Sequence, residues 1–133
     1  MEPEAPHPWG LAATPYEELG GEDRLHQLVD AFYDRMDADA PNVRSLHPAN
    51  LSTSNVKLYE YLSGWLDGPP LYEEKRGHPR LRMRHLPFAI GEEEADDWMR
   101  CMRGAFDDCD LGEPMRSFLD ERFEALAQHM VNR

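Results

Sequence analysis

The apolar residues of this 133-residue chain repeat at three and four positions, and no run alternates long enough to make a strand, so the hydrophobic pattern allows helix as the only regular structure. Four stretches carry the repeat. In the first, opened by Glu22 and Asp23, Leu25, Leu28, Val29, Phe32 and Met36 share a face, with Tyr33 beside it. In the second, Ser52-Thr53-Ser54 offers capping oxygens, Ser54, Leu58, Tyr61, Leu62 and Trp65 form the stripe, and Asp67-Gly68-Pro69-Pro70 ends the helix near Leu66. The third places Glu92, Glu93 and Glu94 in its first turn after Gly91 and buries Trp98, Cys101, Met102, Ala105 and Cys109. The fourth follows Gly112-Glu113-Pro114 with Met115, Phe118, Leu119, Phe123, Leu126 and Met130.

Shorter pieces connect them. Thr14-Pro15-Tyr16-Glu17 joins a capping hydroxyl, a Pro at the first helical position and a Glu three residues after the cap, so a short helix starts there and ends at Leu19-Gly20-Gly21. Residues 38–49 contain Pro41 and Pro48 and predict a tight corner of at most one helical turn, with His47 at its far end. A long loop follows the second helix, with room for a short helix only between Pro79 and Pro87. Residues 1–13 hold three of the eleven prolines and no apolar period, and are expected to form a mobile or loosely docked arm ahead of one domain over 14–133.

A chain of this length buries roughly two thirds of its unfolded surface, so it folds around one core without disulfide or structural metal. The net charge of −12, from 26 acidic and 14 basic residues, argues against nucleic acid and anionic membrane as partners, and against tight self-association, leaving a monomer or weak homodimer. No apolar run approaches the roughly 20 residues of a membrane span. The first residues, Met1-Glu2-Pro3-Glu4-Ala5-Pro6, lack the basic start and apolar stretch of a signal peptide, so the expected location is cytoplasmic. Cys101 and Cys109, about 12 Å apart if on one helix, are expected to be reduced thiols.

Against that acidic background, residues 75–88 concentrate five of the fourteen basic residues and two of the six histidines. Such a run reads as a solvated face, as a phosphate contact through Arg80, Arg82 and Arg84, or as a docking loop for an acidic partner in a helical module without haem. It also fits a haem, with a histidine for the iron and arginines for the two propionates. The residues alone leave these open.

Gly77-His78-Pro79-Arg80-Leu81-Arg82-Met83-Arg84-His85-Leu86-Pro87-Phe88, then Trp98-Met99-Arg100-Cys101-Met102 and the closing His129-Met130-Val131-Asn132, resemble a bacterial group II truncated haemoglobin, and the likeness runs in order from Tyr16 to Asn132. The resemblance implies an all-α, two-on-two helical sandwich around haem b. It implies His85 as the proximal iron ligand, with its other ring nitrogen donating to a backbone carbonyl and Leu81 as its apolar neighbour one turn earlier. It sets Arg84 and Lys57 at the propionates, with His78 approaching one, and Tyr33, His47, Ser54, Leu58 and Trp98 in the ligand pocket. A phenol O–H and an indole N–H beside a partly negative ligand favour O2 over CO, although Tyr33 and Trp98 would equally serve as plain core filler.

His47 departs from the usual Phe or Tyr of its position and brings a titratable group, able to donate to a ligand, to bond Tyr33, or to become a second iron ligand in the ferric state. Ser54 is too short to reach iron, so entry past it is easy. The implied function is O2 binding or transport, or redox chemistry on reactive nitrogen and oxygen species such as NO dioxygenation or peroxidase-like oxidation. CO, NO, H2O2, sulfide and nitrite are the further ligands this implies, with electrons from an unidentified reductase.

Overall fold

A computed structural model of the chain describes residues 6–133. Among them are eight helices: α1 (Pro15–Leu19), α2 (Glu22–Asp39), α3 (Pro41–Arg44), α4 (Ser52–Trp65), α5 (Leu71–Arg76), α6 (Leu81–His85), α7 (Glu92–Asp108) and α8 (Met115–Met130). No strand occurs among the described residues beyond one isolated bridge between His7 and Gly10. Helices α2 and α4 form one pair and α7 and α8 the other, and α2 lies on α7 to join them into the two-on-two sandwich.

Local chemistry sets most boundaries. Thr14 Oγ1 accepts from Glu17 N at 3.1 Å to start α1, and Gly20 closes it at φ 119°, a left-handed conformation that glycine adopts freely. At the start of α7, Glu94 Oε2 accepts from Gly91 N at 3.2 Å, satisfying one of the orphan donors of the first turn. The start of α4 differs from expectation. Its N-cap is Leu51, and the capping oxygen comes from Asn50, whose Oδ1 accepts from Ser52 N at 2.9 Å, rather than from the serines and threonine that follow.

The core lies where the pairs meet. Phe32, Phe106 and Phe123 are fully enclosed with Leu25, Leu28, Met36, Leu62, Met102 and Leu119. Rings interlock across elements: Phe32 of α2 stands edge-on to Trp98 of α7 at 5.1 Å, and Trp98 edge-on to Phe123 of α8 at 5.6 Å. Two arginines of α2 then fasten the end of α7, Arg24 donating to Cys109 O at 2.6 Å and Arg35 holding Asp108 with both arms at 2.9 and 2.6 Å. Cys101 and Cys109 are free thiols. Ahead of α1, the Trp9 ring leans on Phe118 at 5.4 Å and Leu11 N donates to Glu18 Oε1, while residues 1–5 of the expected arm lie outside the described residues.

Helix α5 occupies part of the expected loop. Tyr72 is its one buried residue, so it has no periodic stripe to read in the sequence. Charge holds it instead. Glu60 of α4 is 2% exposed and takes Arg76 at 3.1 Å on Oε1, with Lys75 Nζ 2.8 Å from Oε2 as an ion-pair contact without good hydrogen-bond alignment. The Lys75 ammonium is the largest influence on this carboxyl and, with Arg76, outweighs desolvation, holding its pKa below the ordinary 4.5. A depressed carboxylate pKa stabilises the fold above the unfolded value and loses that contribution as pH falls through the folded one. Because Lys75 is 64% exposed, the pair is worth less than a fully buried one. Glu60→Gln should lower stability at pH 7 by about 1–2 kcal/mol in urea denaturation, and the difference from the parent should vanish in acid.

Candidate functional site

Helix α6 spans only Leu81–His85, lies between Pro79 and Pro87, and buries none of its residues. It packs on α8 and makes no comparable contact with α4. His85 Nδ1 donates to Leu81 O at 2.6 Å, the backbone carbonyl one turn earlier, so in the neutral ring Nε2 keeps its lone pair. Its own segment is unusually apolar on the outside: Met83, Leu86 and Phe88 are 53%, 56% and 43% exposed, and on α4 Val56 is a further exposed apolar residue at 48%.

A second set of side chains gathers around Phe32. Tyr33 stands edge-on to it at 5.0 Å and edge-on to the His47 imidazole at 6.0 Å, and donates its hydroxyl to Ser54 O at 3.2 Å. Trp98 reaches the same Phe32 from α7 and is half-buried. Leu58, one turn beyond Ser54, packs partly buried against the core. The structure thus brings Tyr33, His47, Ser54 and Trp98 together from four elements. Burial pushes the Tyr33 phenol well above its usual pKa, so it stays protonated and able to donate.

His47 repeats the local device of His85. Its Nδ1 donates to Val43 O at 2.9 Å, four residues back, and leaves Nε2 as the acceptor. Desolvation is the main cause of a lowered pKa, opposed by the Val43 carbonyl and reinforced by Arg44 and by the His85 imidazole.

The remaining expected residues are spread along the edge. Lys57 and Arg84 are exposed and belong to none of the ion pairs among the described residues. His78 accepts from Arg80 N at 3.1 Å and lines a cavity of about 260 Å³ with Glu60, Tyr61, Trp65 and Tyr72. Arg82, one of three arginines of the phosphate reading, donates instead to His129 O at 2.6 Å and Val131 O at 3.1 Å. Sequence reasoning overlooked the exposed apolar edge, although Met83, Leu86 and Phe88 lie inside the basic segment that drew notice. It also gave no role to Asn132, a polar residue whose partners are more than forty positions away.

The profile of the Bacterial-like globin family matches residues 14–132. Group 2 truncated hemoglobin YjbI of Bacillus subtilis is 47% identical over 119 residues, covering 90% of this chain and 89% of that protein. The crystal structure of the group II truncated hemoglobin from Bacillus anthracis superposes with a TM-score of 0.88 at 41% identity, over 91% of this chain and 98% of that one. The X-ray structure of the truncated oxygen-avid haemoglobin from Bacillus subtilis gives 0.85 at 47% identity, over 90% and 99%. This chain belongs to the group II truncated haemoglobins. It is therefore a globin, of a family that carries haem b iron and binds diatomic ligands such as O2.

The residues of this truncated haemoglobin fit that group. A porphyrin is a planar apolar body with two carboxylates at one edge, and the α6 segment offers exposed apolar side chains and Arg84, which like Lys57 of α4 belongs to no ion pair among the described residues. His85 supplies a neutral nitrogen with its tautomer already fixed. The His47 shift gives a test of the opposite wall. A histidine whose folded pKa is lowered contributes full stability above the unfolded value near 6.5 and loses it as pH drops, because the unfolded chain takes the proton first. Nitrogen-15 imidazole spectra should show His47 neutral and protonated on Nδ1 at pH 7. His47→Phe should flatten the stability loss between pH 6.5 and 5, and an unchanged loss would place the ring in water.

Proposed function

We propose that His85 Nε2 is the proximal ligand of haem b in this truncated haemoglobin, and that Tyr33, His47, Ser54, Leu58 and Trp98 form the pocket in which O2 binds. The observation that carries this is the 2.6 Å bond from His85 Nδ1 to Leu81 O, which leaves Nε2 as the coordinating atom and fixes the ring plane. Ferrous haem supplies the site where a diatomic ligand binds and takes up partial negative charge. Everything else is the chain's own work. Leu81, Met83, Leu86 and Val56 keep water from the porphyrin faces, Arg84 and Lys57 pair with its propionates, and His78 approaches one of them. The Tyr33 hydroxyl and the Trp98 indole N–H donate toward the ligand, which lowers the energy of O2 relative to neutral CO.

NO dioxygenation and peroxidase-like oxidation are the reactions we assign to the same pocket, with CO, NO, H2O2, sulfide and nitrite as further ligands and a reductase as electron source. The net charge of −12 and the free thiols suit a monomer or weak homodimer in the cytoplasm, with the ligand-binding unit in residues 14–133. The rival reading, a haem-free module whose basic loop docks an acidic or phosphate-bearing partner, loses Arg82 to the end of α8.

His85→Ala should keep the helical fold yet fail to give the five-coordinate ferrous histidine spectrum when titrated with hemin and reduced. An unchanged spectrum would transfer the role to another histidine. Trp98 is held between Phe32 and Phe123, so its donor is better fixed than the rotatable Tyr33 hydroxyl. Trp98→Phe should therefore speed O2 dissociation about three- to tenfold while leaving CO dissociation nearly constant, since a net hydrogen bond is worth about 0.5–1.5 kcal/mol. An unaltered O2 off-rate in stopped-flow displacement would reduce Trp98 to packing.

A further inference from the structure

We infer that Asn132, in the tail after α8, is a positioning residue for His85, acting on the backbone that carries the imidazole; this rests on the reading of His85 as the iron ligand. The carboxamide makes three bonds into one short segment. Nδ2 donates to His85 O at 3.2 Å and to Phe88 O at 2.9 Å, and Oδ1 accepts from Ile90 N at 3.1 Å. The Asn132 backbone N donates to Ile90 O at 2.8 Å, so residue 90 is gripped from both sides.

The chemistry selects asparagine. Two donors on one atom meet two carbonyls while an acceptor meets an N–H, an arrangement that a flipped amide would replace with opposed like dipoles. Aspartate would keep the Ile90 bond and set an anionic oxygen against two carbonyl oxygens. Leucine or alanine would leave those carbonyls without this partner.

Helix α6 needs such a partner because it has little else to hold it. Five residues form a helix too short to persist alone, and none of the five is buried. The His85 carbonyl already accepts from Phe88 N at 3.0 Å, so the Asn132 donor fills its second lone pair and fixes the peptide plane after the histidine. At the other end of the side chain, Leu81 O fixes the ring. Between these two constraints the direction from Cα to Nε2 has little freedom. Arg82 provides a separate strap, capping the last carbonyls of α8 through His129 O and Val131 O without touching the His85 peptide.

The experiment compares Asn132→Asp, Asn132→Ala and Arg82→Met with the parent, in the apo-protein and in the ferrous haem-loaded protein. In the apo-protein, Asn132→Ala should speed amide exchange at Phe88 and Ile90 about tenfold, and Asn132→Asp, which keeps an acceptor for Ile90 N, should do so at Phe88 alone. In the loaded protein, resonance Raman should show the iron–histidine stretching band shifted and broadened in both Asn132 variants, and hemin loss should quicken by a similar factor. Arg82→Met should speed exchange across α6 but leave the band where it is. Asn132→Ala adds no charge, so it carries the test if the Asp variant folds poorly. A band at the parent frequency in Asn132→Ala overturns the inference while the His85 reading stands. Equal shifts in Arg82→Met and Asn132→Ala also overturn it, by assigning the effect to general loosening. A parent protein with no iron–histidine band removes the His85 reading itself.

Discussion

The contact of Phe32 with Trp98 joins the two helix pairs and also sets one wall of the pocket proposed for the ligand, so stability and the proposed function draw on the same rings. Phe32 is fully enclosed, and its neighbours are Tyr33 at 5.0 Å, Trp98 at 5.1 Å and, through Trp98, Phe123 of α8. A close-packed interior has few ways to rearrange, and a ring wedged between two others has fewer. Packing therefore fixes the Tyr33 oxygen but leaves its hydrogen to rotate from Ser54 O, whereas the Trp98 indole is aimed by the packing of its apolar body. A donor held this way loses little entropy when a ligand arrives, which is the condition for a hydrogen bond to favour one diatomic ligand over another.

The opposite side of the site is built on a different principle. Helix α6 has no buried side chain and α5 has one, so area burial cannot be what holds them. Ion pairs from Glu60 to Lys75 and Arg76 hold α5, while Arg82 and Asn132 hold α6. Hydrogen bonds and charge pairs fix direction without requiring a complementary apolar surface. That leaves Met83, Leu86 and Phe88 uncovered, which would be a liability on a surface with no partner and is what a bound porphyrin requires. In the proposed site the rigid wall and the tethered wall divide the work: one would orient polar hydrogens and the other would present a nitrogen and an apolar bed.

What the sequence reveals follows the same division. Helices α2, α7 and α8 are legible because each buries a stripe, and burial is what writes a period of three and four into the residues, whereas on α4 only Leu62 of the expected stripe is buried and Tyr59, Glu60 and Ser63 turn inward beside it. Helix α5 is not legible, because a helix with one buried tyrosine writes no stripe. The capping of α4 by Asn50 rather than Ser52 turned on loop geometry that composition does not encode. Of the candidate site, the histidine, the phenol and the indole were open to reading as chemistry-bearing residues in a recognisable order. Glu60 was invisible, since a glutamate in a helix reads as solvated until cations arrive from fifteen and sixteen residues away. Asn132 was invisible for the stronger reason that three of its four bonds use the side-chain amide against backbone groups, which carry no residue identity at all.

His47 and His85 show how far one local device can be turned to two ends. Each imidazole donates Nδ1–H to the carbonyl four residues earlier, at 2.9 Å to Val43 and 2.6 Å to Leu81, and each is left with a basic Nε2. Sequence cannot separate them, because the bond is local and both rings follow a helical turn. Surroundings do. His47 ends a corner bounded by Pro41 and Pro48, stands against Tyr33, and pays a desolvation cost on protonation. His85 rides a helix whose own peptide is tied to the tail by Asn132. A ring in the first setting is kept neutral and polar beside the proposed pocket, with Nε2 able to accept while the Tyr33 hydroxyl donates to Ser54 O. A ring in the second is kept at one place and one angle, which is what coordination demands of a ligand atom. The difference between the histidine proposed for the pocket and the one proposed as ligand thus lies in what restrains the backbone beneath it.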